Sequence, residues 1–101
     1  MTKHTIETVM FKLNGGISRE AFIEAAKAIN DFVNERDGFV SRRLSCGDDG
    51  LWIEHVEWET LEAARSAAAE IGDDPKLVPV MKAIDEQSVK LHHTTLEISV
   101  D

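Results

Sequence analysis

Apolar and polar residues follow two different periods along this chain. Four stretches alternate with period two and are rich in β-branched and aromatic residues, which predicts strands. These stretches are residues 4–13, 39–46, 51–58 and 88–100. Apolar residues recur at spacings of three and four after Ser18 and after Thr60, which predicts two amphipathic helices with these hydroxyl residues as N-caps. The predicted order is strand, helix, strand, strand, helix, strand.

Glycine and proline mark where the predicted helices end. Gly38 is expected to close the first helix as a left-handed C′ residue, and Gly72 to close the second. Pro79 cannot lie inside a helix, so we expect it to open a separate short helix that includes Met81.

The two central stretches predict a β-hairpin around the turn-forming residues 47–50, Gly-Asp-Asp-Gly. With Asp48 and Asp49 as a two-residue tip, an aromatic pair and an opposite-charge pair lie directly across from each other, which supports this register. The predicted pairs include Phe39 with Trp58, Arg43 with Glu54, and Arg42 with His55.

This element order is typical of the ferredoxin-like α+β fold, a four-stranded antiparallel sheet with both helices on one face. The 101 residues leave room for a single domain over 1–101. In the predicted register both faces of the hairpin carry apolar side chains, so both faces need a cover. A second copy, packed open face to open face with C₂ symmetry, would supply it. We therefore expect a homodimer.

The charge balance excludes several partners. Nineteen acidic residues against 11 basic ones give a net charge of −8, which disfavours nucleic acid and an anionic membrane surface. No apolar run resembles a signal peptide or a membrane span, so a cytoplasmic protein is expected. Cys46 is the single cysteine, which excludes an internal disulfide and favours a structural role for this side chain.

Histidines are the candidate proton-transfer groups. His92 and His93 are neighbours on a strand and must point to opposite faces. His93 shares the side of Val89 and Leu91, so we expect it in the space under the helices, with His92 in the dimer space. His93 could act as a general base or orient a substrate, although an edge-strand histidine often has neither role.

The other candidates lie on the hairpin and the helices. His55 has Glu57 two residues further along the same face and could be oriented for proton transfer. Arg43 could hold a substrate anion, although cross-strand charge pairs usually only stabilise a sheet. Trp58, Phe22 and Met81 would line a pocket between sheet and helices, or simply form core.

The sequence contains no spacing typical of a metal site, a phosphate-binding loop or a serine nucleophile. We expect neither a metal nor another cofactor.

Residues 38–44, Asp49-Gly50, and the run Val56-Glu57-Trp58-Glu59-Thr60 followed by alanines resemble the dimeric α/β-barrel superfamily, most of all its antibiotic biosynthesis monooxygenase-like domains. Haem-degrading members carry an Asn on the first strand, a Trp ending the third, and a His on the next helix. Trp58 matches that Trp, but residues 4–13 contain no Asn and residues 61–71 no His. The resemblance therefore argues against haem degradation and leaves the other activities of the superfamily open, cofactor-independent monooxygenation among them.

Two functions follow as hypotheses. The first is a cofactor-independent monooxygenase-like enzyme for a small aromatic or apolar substrate, in which the deprotonated substrate delivers electrons to dioxygen. The second is a non-catalytic dimeric module that binds a small apolar ligand or a protein partner. Catalysis on a small substrate and binding of a small ligand both require a cavity between the sheet and the helices.

Overall fold

The computed structural model describes residues 3–101. Four antiparallel strands form one sheet in the order β2-β3-β1-β4, in which β2 and β4 are the edges. Their bounds are β1 Thr5–Phe11, β2 Phe39–Cys46, β3 Trp52–Trp58 and β4 Lys90–Thr95. This is the ferredoxin-like βαββαβ arrangement, and it confirms the fold predicted from the sequence.

Four helices cover one face of the sheet. They are α1 Arg19–Ala26, α2 Ala28–Asn34, α3 Leu61–Glu70 and α4 Val78–Ala83, with short 3₁₀ turns on either side of α4. Ser18 and Thr60 cap α1 and α3 as predicted, each accepting a bond from the backbone N–H three residues on. The first predicted helix is divided at Lys27 into α1 and α2. Pro79 lies in the first turn of α4, which confirms its predicted place.

Two clusters of buried side chains join the helices to the sheet. One is centred on Trp58 and Phe32, and the other on Trp52 and Phe22. Since side chains alternate along a strand, Ile53 between the two tryptophans points to the opposite face.

The predicted hairpin register is wrong over most of its length. Gly47 pairs with Leu51, not with Gly50, because Gly50 adopts φ +83° and makes the loop one residue longer. Such a loop, a turn followed by a left-handed glycine, is a common three-residue hairpin connection. From Ser41 to Cys46 every partner therefore shifts by one, and a bulge between Phe39 and Ser41 restores the predicted pair of Phe39 with Trp58.

The shift turns every β2 side chain from Ser41 to Cys46 to the face opposite the predicted one. Arg42 and Leu44 face the helices instead of the open side, and Arg43 lies across from His55 instead of Glu54. The open face keeps fewer apolar groups than predicted, and they come mainly from β1 and β3: Ile6, Met10 and Ile53.

Gly38 and the chain end also differ from the predictions. Gly38 has the predicted left-handed conformation, φ +84°, but α2 already ends at Asn34, four residues earlier. The last strand ends at Thr95 instead of continuing to Val100. Within residues 3–101, no helix is long and apolar enough to cross a membrane.

Candidate functional site

A cavity of about 340 Å³ lies between the sheet and the helices. Its walls are mainly apolar, and Phe22, Trp58 and Met81 are among the residues that line it, while their role in binding stays a prediction. Pockets that bind small molecules typically combine such walls with a few placed polar groups. The charged groups here are Glu7 on β1, Arg42 on β2 and Glu54 on β3, together with Glu86 in the 3₁₀ turn before β4.

Arg42 and Glu54 form a buried ion pair in the wall of the cavity. The Arg42 Nε–H donates to Glu54 Oε1, and the two side chains are only 10% and 12% exposed. Arg42 also donates from Nη1 to Asn30 Oδ1 on α2, at 2.6 Å. Among residues 3–101, neither Arg42 Nη2 nor Glu54 Oε2 has a hydrogen-bond partner. The rest of the described chain thus leaves one donor and one acceptor of this pair without a hydrogen bond.

Burial raises the pKa of the Glu54 carboxyl above its ordinary value. Desolvation is the largest cause, and the ion pair with Arg42 opposes it only in part. The negative charge of Glu7, on the same face of the neighbouring strand, adds to the rise. A carboxylate with a raised pKa is a stronger proton acceptor at neutral pH, which suits a general base.

Glu7 connects the cavity with the edge of the sheet. It lines the cavity, and its Oε2 lies 2.8 Å from Nε2 of His93 on the edge strand β4. The two residues pair directly across β1 and β4, so the backbone register itself places them together. His93 therefore lies on the helix-facing side of the sheet, behind Glu7, and Glu7 is the member of the pair that lines the cavity.

Trp58 supplies a further donor. The residue ends β3 and is 1% exposed, and its ring packs edge-to-face on Phe39 with centroids 5.8 Å apart. Its indole Nε1–H has no partner in the described part of the chain. Buried Trp N–H groups usually have a partner, so an unpaired one in the wall of a cavity is unusual.

The remaining predicted site residues lie outside the cavity. His55 and Arg43 are directly paired across β2 and β3, and the alternation of strand side chains turns both to the open face. His92 lies on the same open face, across from Thr8. Glu57, expected beside His55, bonds to Nδ1 of His4. These placements separate His55, His92 and Arg43 from the cavity, and their roles stay predictions.

The sequence interpretation missed Arg42, Glu54 and Glu7. The signal that could have found them is the glycine after Asp48-Asp49, which is typical of a three-residue loop with a left-handed third residue. That loop shifts the register by one and makes Arg42 and Glu54 diagonal neighbours on the helix-facing side. Glu7 then follows, because it lies across from Val56 on the same side.

Solved structures share this fold. A putative antibiotic biosynthesis monooxygenase from Bordetella bronchiseptica matches with TM-score 0.77 and 17% identity, over 95% of this chain and 99% of its own. The monooxygenase of the gene ActVA-Orf6 of Streptomyces coelicolor, in complex with nanaomycin D, matches with TM-score 0.70 and 19% identity, over 98% and 92%. SnoaB, a cofactor-independent oxygenase from Streptomyces nogalater, matches with TM-score 0.66 and 18% identity, over 98% and 96%.

These similarities define a class of fold. No family model and no curated protein matches the sequence. The chain has the ferredoxin-like fold of the antibiotic biosynthesis monooxygenase-like proteins, as the sequence resemblance predicted.

Proposed function

We propose that the chain is a monooxygenase-like enzyme that needs no cofactor and oxidises a small aromatic substrate in the 340 Å³ cavity. The observation that carries the proposal is the unpaired Oε2 of Glu54, a buried carboxylate of raised pKa in a cavity whose walls are mainly apolar. The shared fold with proteins described as a monooxygenase and a cofactor-independent oxygenase supports it.

The proposed reaction converts an activated phenol to a quinone. Glu54 Oε2 accepts the hydroxyl proton, and an electron pair from a ring carbon of the phenolate forms a bond with dioxygen. The proton passes to the peroxide oxygen, and loss of water from the hydroperoxide leaves the second carbonyl. One dioxygen is consumed and one water is released, and the substrate supplies all four electrons. The donors on Trp58 and Arg42 would orient the phenolic oxygens.

Oxygen uptake with a dihydroxynaphthalene tests the proposal. The purified chain is expected to consume one dioxygen per hydroxynaphthoquinone formed. Removing a general base commonly costs about a hundredfold or more in rate, so Glu54→Gln should lower kcat by about that factor. Glu62→Gln, an exposed acid-to-amide change on α3, is the matched control and should keep full activity.

The Glu7–His93 pair has a smaller proposed part, as a route for the proton from the cavity to the sheet edge. His93→Ala should lower the rate less than Glu54→Gln does, and unchanged turnover would remove His93 from the site. If wild-type protein is stabilised by dihydroxynaphthalene on heating but takes up no oxygen, the enzyme proposal is wrong and the chain is a binding module.

We also propose that the chain is a homodimer through the open face of the sheet. Met10 and Ile53 lie partly exposed on this face, which none of the described helices covers, whereas Ile6 beside them is already buried. The stretch after β4 continues the alternation of the strand, and its Ile98 and Val100 are 83% and 93% exposed. Contiguous apolar surface, in contrast to single exposed residues, is typical of a face that meets a partner. A second copy would cover both features.

Light scattering coupled to size exclusion measures the assembly directly. Twice the 11.3 kDa chain mass is expected at micromolar concentration. A stable monomer there would contradict the dimer without affecting the cavity.

A further inference from the structure

The side chains that line the cavity differ widely in their exposure to solvent. Phe22 and Trp58 are each 1% exposed, whereas Met81, Val89 and Leu91 line the same cavity and are 43%, 40% and 49% exposed. A side chain that lines a cavity and also contacts solvent extends from one to the other. These three residues therefore mark the mouth of the cavity.

The mouth lies between α3, α4 and the edge strand β4. Met81 belongs to α4 and Leu91 to β4, while Val89 directly precedes that strand. Ala68 on α3 is also exposed and also lines the cavity. Leu91 lies on the helix-facing side of the sheet, because it pairs across the strands with Val9, another lining residue. We call Ala68, Met81, Val89 and Leu91 the rim.

The charges around the cavity disfavour an anion at its mouth. Among the described lining residues, Glu86 is the single exposed one outside the rim, and it lies in the 3₁₀ turn just before β4. Glu7 and Glu54 line the cavity as well, so three of its four charged residues are acidic. A second negative charge brought to the mouth would be repelled.

The rim is an apolar surface that continues the wall of the cavity. Contiguous apolar surface commonly marks a binding site, whereas single exposed apolar residues are ordinary. A molecule bound in the cavity can therefore contact the rim as well. The open sheet face proposed for the dimer is on the other side of the sheet, so a second copy bound there would leave the rim uncovered.

From this geometry we infer that the substrate carries an uncharged apolar chain, which leaves the cavity through its mouth and packs on the rim. The inference rests on the proposed function, because it names the substrate class of that cavity: a phenol with an alkyl substituent in place of a bare aromatic ring.

Two probes that differ only in the chain separate the rim from the cavity. They are 2-naphthol and 6-butyl-2-naphthol, titrated by calorimetry into the full chain without oxygen, so that no turnover occurs. A fully buried methylene tightens binding about fourfold, and on a half-exposed rim we expect about twofold for each carbon. The butyl compound should therefore bind about fifteenfold more tightly than 2-naphthol.

The rim variant is Val89→Thr with Leu91→Thr. Threonine is favourable in strands, so β4 should be retained, but each hydroxyl group makes the rim more polar. The preference for the butyl compound should fall about threefold, because two of the four rim residues are changed. The affinity for 2-naphthol should stay the same, which also shows that the cavity of the variant is intact. Met81→Gln is an independent variant on α4 and should reduce the preference as well.

The matched control is Ile23→Thr with Val40→Thr. These residues are 42% and 41% exposed, close to the exposure of the rim residues, but neither lines the cavity. The control should keep both dissociation constants.

The other outcomes are also informative. Equal affinity for the two probes, or a butyl preference that neither rim variant reduces, overturns the inference and leaves the cavity proposal standing. A change in the mass of the assembly in the threonine variant, measured by light scattering, would show that the rim is an interface between copies and would also overturn it. Binding of neither probe overturns both proposals.

Discussion

At Glu54, burial on folding favours the neutral carboxyl group, whereas the proposed chemistry needs the charged carboxylate as a base. Its burial makes the charged form costly and raises its pKa, while Arg42 compensates only in part. A carboxyl whose pKa is higher in the folded state binds protons more tightly there than in the unfolded chain. Its contribution to stability is therefore fully present below the unfolded value of 4.5 and is lost as the pH rises through the folded pKa.

This linkage gives a prediction for Glu54→Gln. The free energy of unfolding of the wild type should contain a component that falls as the pH rises from 4.5 towards neutrality, and the variant should lack it. Urea unfolding at a series of pH values measures both. All other titrating groups are shared, so the difference between the two curves isolates Glu54. A difference that rises with pH over this window would contradict the raised pKa.

At the scale of elements, two glycines in the left-handed region have different surroundings. A Cβ on Gly38 would lie 2.7 Å from the Cβ of Ala63 on α3, so the chain before β2 approaches this helix as closely as glycine allows. Gly50 has almost the same φ, but its Cβ would meet no described atom within 4 Å. Substituting alanine at each glycine therefore separates the free-energy cost of backbone strain from the cost of side-chain packing.

Gly50→Ala should cost about 1–2 kcal/mol of unfolding free energy, the usual penalty for a Cβ in this conformation. Gly38→Ala should cost about 1–3 kcal/mol more, because α3 must also move away from β2. Thermal or urea unfolding of the two variants measures the gap. Equal losses of unfolding free energy would show that α3 can move away at Ala63 without a further cost.

The elements were predictable from the sequence to different degrees. The N-caps Ser18 and Thr60, the place of Pro79 and the order of elements along the chain follow from local patterns that the packing does not override. The hairpin register did not follow, because the tetrad at 47–50 also fits a two-residue tip and the pattern of β2 places apolar residues on both sides. The candidate site depended on that register, so Trp58, Phe22 and Met81 were found and Arg42 and Glu54 were not.

At the scale of the whole molecule, the open face of the sheet is the surface on which the proposed dimer depends. Its central residue Ile53 is half-buried even without a cover, and His55 beside it has a buried Nδ1 with no partner within residues 3–101. A second copy is the proposed source of both the apolar contact and that hydrogen bond.

Ile53→Lys tests this face. A charge at its centre should convert the dimer to a monomer, because the ammonium group would lose its water on assembly. Val78→Lys places the same charge at a half-exposed position of α4, on the helical side of the sheet. This variant should keep the mass of the dimer. Sedimentation velocity distinguishes the two, and a dimeric Ile53→Lys protein would move the interface elsewhere.

The three-residue loop shifts the register of β2 by one residue, and the bulge after Phe39 shifts it back. This compensation limits which insertions and deletions the hairpin can accept. Exposed hairpin tips usually tolerate insertions and deletions. Here the loss of one residue between Gly47 and Leu51 would slip the strand and turn Arg42 away from Glu54. We therefore expect descendants of this chain that keep the Arg42–Glu54 pair to vary freely in the identity of residues 48 and 49 but to conserve the length of the loop.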